Sequence, residues 1–362
     1  MYWAMLLRMG APGDAWTLGH RPALDGLRGV AVLLVLVDHS LLGWFVAAGS
    51  TGVGMFFVLS GFLITTLLLD NHETTGRIDL RGFYRRRMVR LVPALAVFLV
   101  VMVSIGLVSR SAATGVFLYS ANWFAVAGVD MGGAGHMWSL AVEEQFYLVW
   151  PLLLIALSRL SRRTLAWLCA AGIVASLLAR FALWDPHDVT RAYVGTDANA
   201  SGLLLGCLIA VIVRERRMSG SAARFLVPFA FVGLAASALS GHGVGGWLMA
   251  PAFAPFFTAV VLYGVVSNQK SAAWLSTPWL SLFGRRSYAL YLWHFPLLII
   301  VTPMVPSAWH WPAVVGFLGL SWLLALASWR YVEAPCMAKF RAPESLGTYS
   351  STVKVRPPTA AP

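Results

Sequence analysis

Arg28-Gly29-Val30-Ala31-Val32-Leu33-Leu34-Val35-Leu36-Val37-Asp38-His39 is the stretch that decides the fold. It is an apolar run with an arginine at its start and a histidine eleven residues on. As a helix, at about 100° and 1.5 Å per residue, it turns both side chains the same way about 16 Å apart. That is about half of a hydrocarbon core about 30 Å thick. With Arg28 at one membrane edge, His39 falls near the midplane, where an ionisable group is a functional-site hypothesis. Arginine's planar fork suits phosphate, and histidine suits proton transfer near neutral pH. The plainer alternative makes Arg28 a marker of the helix end and His39 a bonded bundle histidine. Asp38 adjoins His39, but successive helical residues point about 100° apart, so Asp38 need not orient it.

The rest of the chain supports a membrane setting. Of 362 residues, 59% are hydrophobic and 12% charged, against about 25% charged in soluble domains. Mean hydropathy is +0.73. The net charge of +12 would suggest nucleic acid in a soluble protein. Here the basic clusters fall between apolar runs, so they read as positive-inside signals, and no nucleic-acid partner is expected. Cys169, Cys207 and Cys336 have no metal-ligand spacing, so neither a disulfide nor a metal site is expected.

Ten apolar spans are predicted, at about 27–48, 51–70, 84–109, 138–158, 164–183, 198–214, 222–241, 246–266, 287–305 and 311–332. The stretch 112–127 is too short to cross and suits a re-entrant or interfacial helix. Arg77, Arg81 and Arg85 to Arg87 follow span two, and Arg159, Arg162 and Arg163 follow span four. Arg214, Arg216, Arg217 and Arg224 follow span six, Lys270, Arg285 and Arg286 span eight, and Arg330, Lys339 and Arg341 span ten. Every cluster thus follows an even-numbered span, which makes both termini cytoplasmic. The expectation is an all-α integral membrane protein, a bundle of about ten transmembrane helices, multi-pass in the plasma membrane. Residues 1–20 read as a cytoplasmic tail. Residues 342–362, rich in Ser, Thr, Pro and Ala, read as a disordered one.

Four further blocks carry polar chemistry. In Tyr84-Arg85-Arg86-Arg87-Met88-Val89-Arg90, Arg87 and Arg90 are three residues apart and share a face. Arg90 lies a turn inside the apolar run, where it must snorkel or bind an anion. His136-Met137-Trp138-Ser139-Leu140-Ala141-Val142-Glu143-Glu144 opens span four on the outer side. Adjacent Glu143 and Glu144 do not both face one site, and Glu143 also suits a helix N-terminus. Tyr291-Leu292-Trp293-His294 places His294 about 10 Å inside the predicted start of span nine, among aromatics that also suit an interfacial belt. Glu333, at the cytoplasmic close of span ten, is suited to pair with an arginine there.

Together these blocks resemble the membrane-bound acyltransferase-3 family, from about Arg21 to Pro335. The likeness rests on Arg28 and His39 in span one and Phe56-Phe57-Val58-Leu59-Ser60-Gly61-Phe62-Leu63-Ile64 in span two. It continues in Arg87-x-x-Arg90 with Pro93, Trp138-Ser139-Leu140 to Tyr147, Tyr291 to His294, and Glu333-Ala334-Pro335. It implies a transmembrane domain over 21–335 that transfers an acyl group, most often acetyl, from cytoplasmic acyl-CoA to a hydroxyl. The implied acceptors are glycans, lipid-linked sugars, peptidoglycan or secondary metabolites. No permanently bound cofactor is implied. Some members carry an extracytoplasmic SGNH hydrolase-like domain; these residues leave no room for one, so that subtype is not expected.

On this basis Arg28, Arg87 and Arg90 are expected to hold the coenzyme A phosphates, with His39 as general base. Alternatively His39 is itself acylated. Glu143 or Glu144 would position the acceptor, and Asp38, Trp293, His294 and Glu333 are secondary candidates. A transporter or flippase is the competing reading, but no internal repeat or matched pair of broken helices favours it.

Overall fold

The computed structural model describes residues 21–40, 47–215, 220–241, 243–267, 270–306 and 309–339. The two predicted tails, 1–20 and 342–362, lie outside the described residues. Every regular element described is helical.

The first helix, α1 (Pro22–Asp38), starts on a proline in its first turn, where a missing N–H leaves no bond unmade. It stops well short of 48. His39 caps its C-terminus with φ −88° and ψ 13°. The His39 ring and the Ser40 hydroxyl bond back to the Val35 and Val37 carbonyls, which the end of a helix leaves open. His39 is therefore a helix-end residue rather than one inside a continuous span.

α2 (Ala48–Thr75) ends at Gly76, whose φ of 72° is the left-handed stop that glycine tolerates best. α3 (Leu80–Ser104) is capped by Asp79, whose carboxylate accepts from the Gly82 N–H at 2.9 Å. The predicted short stretch splits into α4 (Arg110–Phe117) and α5 (Ala121–Val126). Both are far too short to cross a bilayer.

A 3₁₀ turn over Gly132–Met137 leads into α6 (Trp138–Ala156), then α7 (Arg162–Ala182), α8 (Thr190–Val194), α9 (Thr196–Glu215) and α10 (Gly220–Ala238). A wide turn over Val244–Met249 opens α11 (Ala250–Val266). α12 (Pro278–Val301) and α13 (His310–Ser328) follow, then a second wide turn over Trp329–Glu333 and α14 (Ala334–Lys339).

α12 begins nine residues before the predicted 287. Extended Thr277 and first-turn Pro278 set its start. Arg285 and Arg286, predicted in a loop, lie inside the helix. Arg285 faces Asp25 at 3.9 Å, and the Arg286 guanidinium stacks 4.0 Å over the Trp329 ring. His294 accordingly sits about 24 Å along α12 rather than about 10 Å.

Among the described residues, 8 helices are long and apolar enough to cross a membrane. α1, with 17 residues, and the apolar stretch Phe225–Ala238 are shorter. The protein is an all-α, multi-pass protein of the plasma membrane. α2 is its axis, with 83% of its most apolar window buried, whereas the figure for α7 is 28%. Trp167, Leu178 and Phe181 on α7 are exposed, as side chains facing lipid are.

Glycines set the closest approaches. A Cβ at Gly29 or Gly284 would overlap the Leu280 or Asp25 carbonyl between α1 and α12. Gly61 and Gly206 stand likewise against Leu203 and Val58 between α2 and α9. Contacts between α1 and α12 advance together, from Asp25 with Gly284 to Arg28 with Ser287 and His39 with His294. The two helices therefore run parallel.

Candidate active site

Two polar centres lie along the parallel pair. The upper one gathers three histidines. His39 stands 5.1 Å from His294, ring centroid to centroid, and His294 stands 5.2 Å from His136. Phe295 touches His39 and His136 at 5.2 and 5.0 Å. The Nδ1 of His39 faces the Val35 carbonyl at 3.0 Å. The Nδ1 of His294 faces the Tyr291 and Leu290 carbonyls at 2.8 and 3.2 Å. A carbonyl only accepts, so both Nδ1 atoms carry the proton and both Nε2 atoms keep a lone pair. Asp38 does not orient His39 through Nδ1. Its carboxylate lies 4.0 Å from Nε2, beyond hydrogen-bond range.

The His294 ring is fully buried, and its Nε2 has no hydrogen-bond partner. Neither nitrogen of His136 makes a well-formed hydrogen bond, although the Tyr291 and Leu292 backbone lies beside the ring. Pro296 has no N–H to give the Leu292 carbonyl. The Tyr291 hydroxyl donates to the His136 carbonyl at 2.8 Å, and Ser139 lies 2.6 Å from that hydroxyl. These bonds tie the 3₁₀ turn to α12. Trp293, packed on Phe98 at 5.6 Å, has a buried Nε1 without a partner.

The lower centre gathers arginines and glutamates. Arg87 on α3 grips Glu144 on α6 through Nε, at 2.9 and 2.8 Å from its two oxygens, and through Nη2. The same guanidinium lies 3.5 Å over the Tyr147 ring. Sequence placed Glu144 on the outer side and Arg87 at the cytoplasmic mouth. The structure makes them partners, because α3 and α6 bring these two turns level. Glu143 accepts from the Ser60 hydroxyl at 3.0 Å and lies within electrostatic reach of Arg87 and Arg28. Arg28 donates to Ser287 at 3.4 Å and sits 5.7 Å over the Phe56 ring. Arg90 is within reach of Arg28, Arg87 and Glu333. Glu333 is buried and accepts from Ser328 at 3.2 Å.

Beside this centre, Gln145 pins the short helices α4 and α5. Its amide donates to the Tyr119 carbonyl at 2.7 Å and to Asn122 at 2.9 Å. Its carbonyl accepts from Thr196 at 2.5 Å and from Trp123 at 3.3 Å. The bend it holds puts Tyr119 at φ 53°, a conformation that costs of order 1–3 kcal/mol outside glycine.

Sequence reasoning missed His136, Ser60 and Gln145 as members of these centres. His136 and Gln145 carried a legible signal, each a polar residue flanking an apolar run. Ser60 carried none beyond its place in the Phe56–Ile64 motif. Among the described residues no group of three or more His, Cys, Asp or Glu is arranged to hold a metal ion.

An acyltransferase-domain family matches residues 21–330. The O-acetyltransferase OatA of Staphylococcus aureus (strain NCTC 8325 / PS 47) is 32% identical over 375 aligned positions, covering 92% of this chain and 61% of the relative. A putative peptidoglycan O-acetyltransferase of Bacillus subtilis (strain 168), YrhL, is 32% identical, with 88% and 55% covered. The peptidoglycan O-acetyltransferase OatA of Listeria monocytogenes serovar 1/2a is 30% identical, with 87% and 55% covered. The chain thus spans less than two thirds of the length of these relatives. No solved structure matches it. Since the match takes in most of the chain and every residue of both centres except Glu333, the chain belongs to this acyltransferase family.

Proposed function

We propose that the chain is a membrane O-acyltransferase that moves an acyl group, acetyl in the first instance, from cytoplasmic acyl-CoA to a hydroxyl. The acceptor class is a carbohydrate, a lipid-linked sugar or a secondary metabolite. One observation carries the reading: along parallel α1 and α12 the polar residues fall at two levels, Arg28 with Ser287 and His39 with His294, seven residues and about 10 Å apart on α12. A donor with phosphates at one end of a long arm and a thioester at the other fits that separation. Two of the relatives are named for peptidoglycan, which favours a sugar hydroxyl.

In this reading α1 and Phe225–Ala238 join the eight long helices as crossings, giving about ten, with both termini cytoplasmic. The support is the alternation of basic clusters along the chain. The transmembrane domain is 21–335, flanked by cytoplasmic tails. Arg28 and Arg90 hold the coenzyme A phosphates, with Arg87 fixed by Glu144 beside them. Glu143, held by Ser60, is the glutamate left to position the acceptor, since Glu144 is taken up by Arg87. His39 Nε2 takes the proton from the acceptor hydroxyl. The oxygen attacks the thioester carbonyl carbon, the C–S bond breaks, and the proton leaves on the coenzyme A thiol. A placed base contributes about 10²–10⁴-fold.

Purified protein with acetyl-CoA tests this by release of free thiol. His39→Ala should lower the rate by about that factor, and near-normal release would remove His39 as base. Arg90→Ala should raise the acetyl-CoA Kd, and an unchanged Kd would take Arg90 out of the donor site.

A further inference from the structure

His39 and His294 present one lone pair each, and among the described residues no hydrogen bond reaches either. Both Nδ1 atoms are committed to their own backbone, so both Nε2 atoms only accept. His294 Nε2 is buried with no partner. The charged group nearest His39 Nε2 in the ion-pair geometry is the Asp38 carboxylate, also an acceptor when ionised. A buried acceptor left unsatisfied is costly, and native exceptions point to a water or ligand. The His39 side chain is 24% accessible while His294 is fully buried, so His39 is the member of the pair that a ligand meets first. A water has two protons on one oxygen to offer such a pair. An acceptor that displaces it must bring two donors of its own.

We propose that His294 is a specificity-determining residue that selects acceptors with two neighbouring hydroxyls. The reacting hydroxyl donates to His39 Nε2 and its neighbour donates to His294 Nε2. His136, packed 5.2 Å from His294, holds that ring in place. An acceptor with a lone hydroxyl leaves His294 unpaired and is rejected, because a site built to bond a hydroxyl discriminates against its absence. This rests on the acyltransferase reading above and narrows its acceptor class to vicinal diols such as sugar rings.

The experiment uses the full chain in lipid nanodiscs, acetyl-CoA, and two probes that differ by one hydroxyl, cis-1,2-cyclohexanediol and cyclohexanol. Wild type should form the diol ester at least about tenfold faster than the cyclohexanol ester. His294→Asn retains a donor at the Nδ1 position for the Tyr291 and Leu290 carbonyls but has nothing at Nε2, so its preference should fall to about one. His294→Gln, whose amide reaches the Nε2 position, should retain part of the preference. Equal rates for both alcohols in wild type, or an undiminished preference in His294→Asn, would overturn the proposal.

A second readout stands apart from acyl transfer. In protein labelled with ring ¹⁵N-histidine, the His39 and His294 Nε2 resonances should move with the diol and not with cyclohexanol. If wild type neither binds nor cleaves acetyl-CoA while these resonances move, the acyl-CoA reading falls and the diol site stands. If thiol is released but neither resonance moves, the reading stands and the diol site falls.

Discussion

The arginine level and the histidine level are both polar islands in an apolar bundle, and they are finished differently. At the lower level Arg87 is closed by both oxygens of Glu144 and by the Tyr147 ring, and Glu143 by Ser60. At the upper level the ring bonds of His39 and His294 go only to their own helices, and the buried His294 Nε2 has no partner. Burying a polar group costs several kcal/mol unless it is bonded. The closed level therefore holds the helices in register, and the open one is where the proposed acceptor would repay the burial.

The sharpest way to break this contrast is to open the closed level. Glu144→Ala leaves the Arg87 charge buried without its partner, and should cost about 3–5 kcal/mol. Thermal unfolding in detergent reads it as a large drop in Tm. Glu144→Leu combined with Arg87→Met removes both charges and should recover most of the loss. A double variant as unstable as the single one would mean that the pair is not the element holding α3 to α6.

Next in size is Gln145→Leu. It removes the bonds to Tyr119, Asn122, Thr196 and Trp123 together, and should cost about 1–3 kcal/mol. Hydrogen exchange should rise across 110–126 while α2 stays protected. Uniform exchange across the bundle would show that the pair α4 and α5 is not an independent element.

Much of the fold was legible because lipid imposes one rule: backbone groups bond within helices, so apolar length marks a span. The failures fall where side chains override that rule. His39 and Ser40 end α1 by bonding its last carbonyls, which composition cannot register. Thr277-Pro278 starts α12 nine residues early, across two arginines that hydropathy excludes from a helix interior. At the candidate site, Arg28, His39, Arg87, Arg90 and the glutamates are readable in sequence as residue types at spacings. Their pairing is not, since Arg87 meets Glu144 through the packing of α3 on α6. His136 was invisible as a partner of His294 because the two lie on elements far apart in sequence.

The smallest effect is the most discriminating. His136→Phe replaces an aromatic ring among Phe98, Tyr291, His294 and Phe295 by one of similar shape. Because its nitrogens make no well-formed hydrogen bond, removing them forfeits little. Stability should stay within about 1 kcal/mol of wild type. His136→Ala opens a cavity at the same place and should cost about 3–5 kcal/mol, as buried aromatic truncations do. The two melting curves separate packing from bonding at one position. A Phe variant as unstable as the Ala variant would mean the nitrogens are bonded in the resting protein. The histidine level would then be as closed as the arginine level, and the contrast between them would vanish.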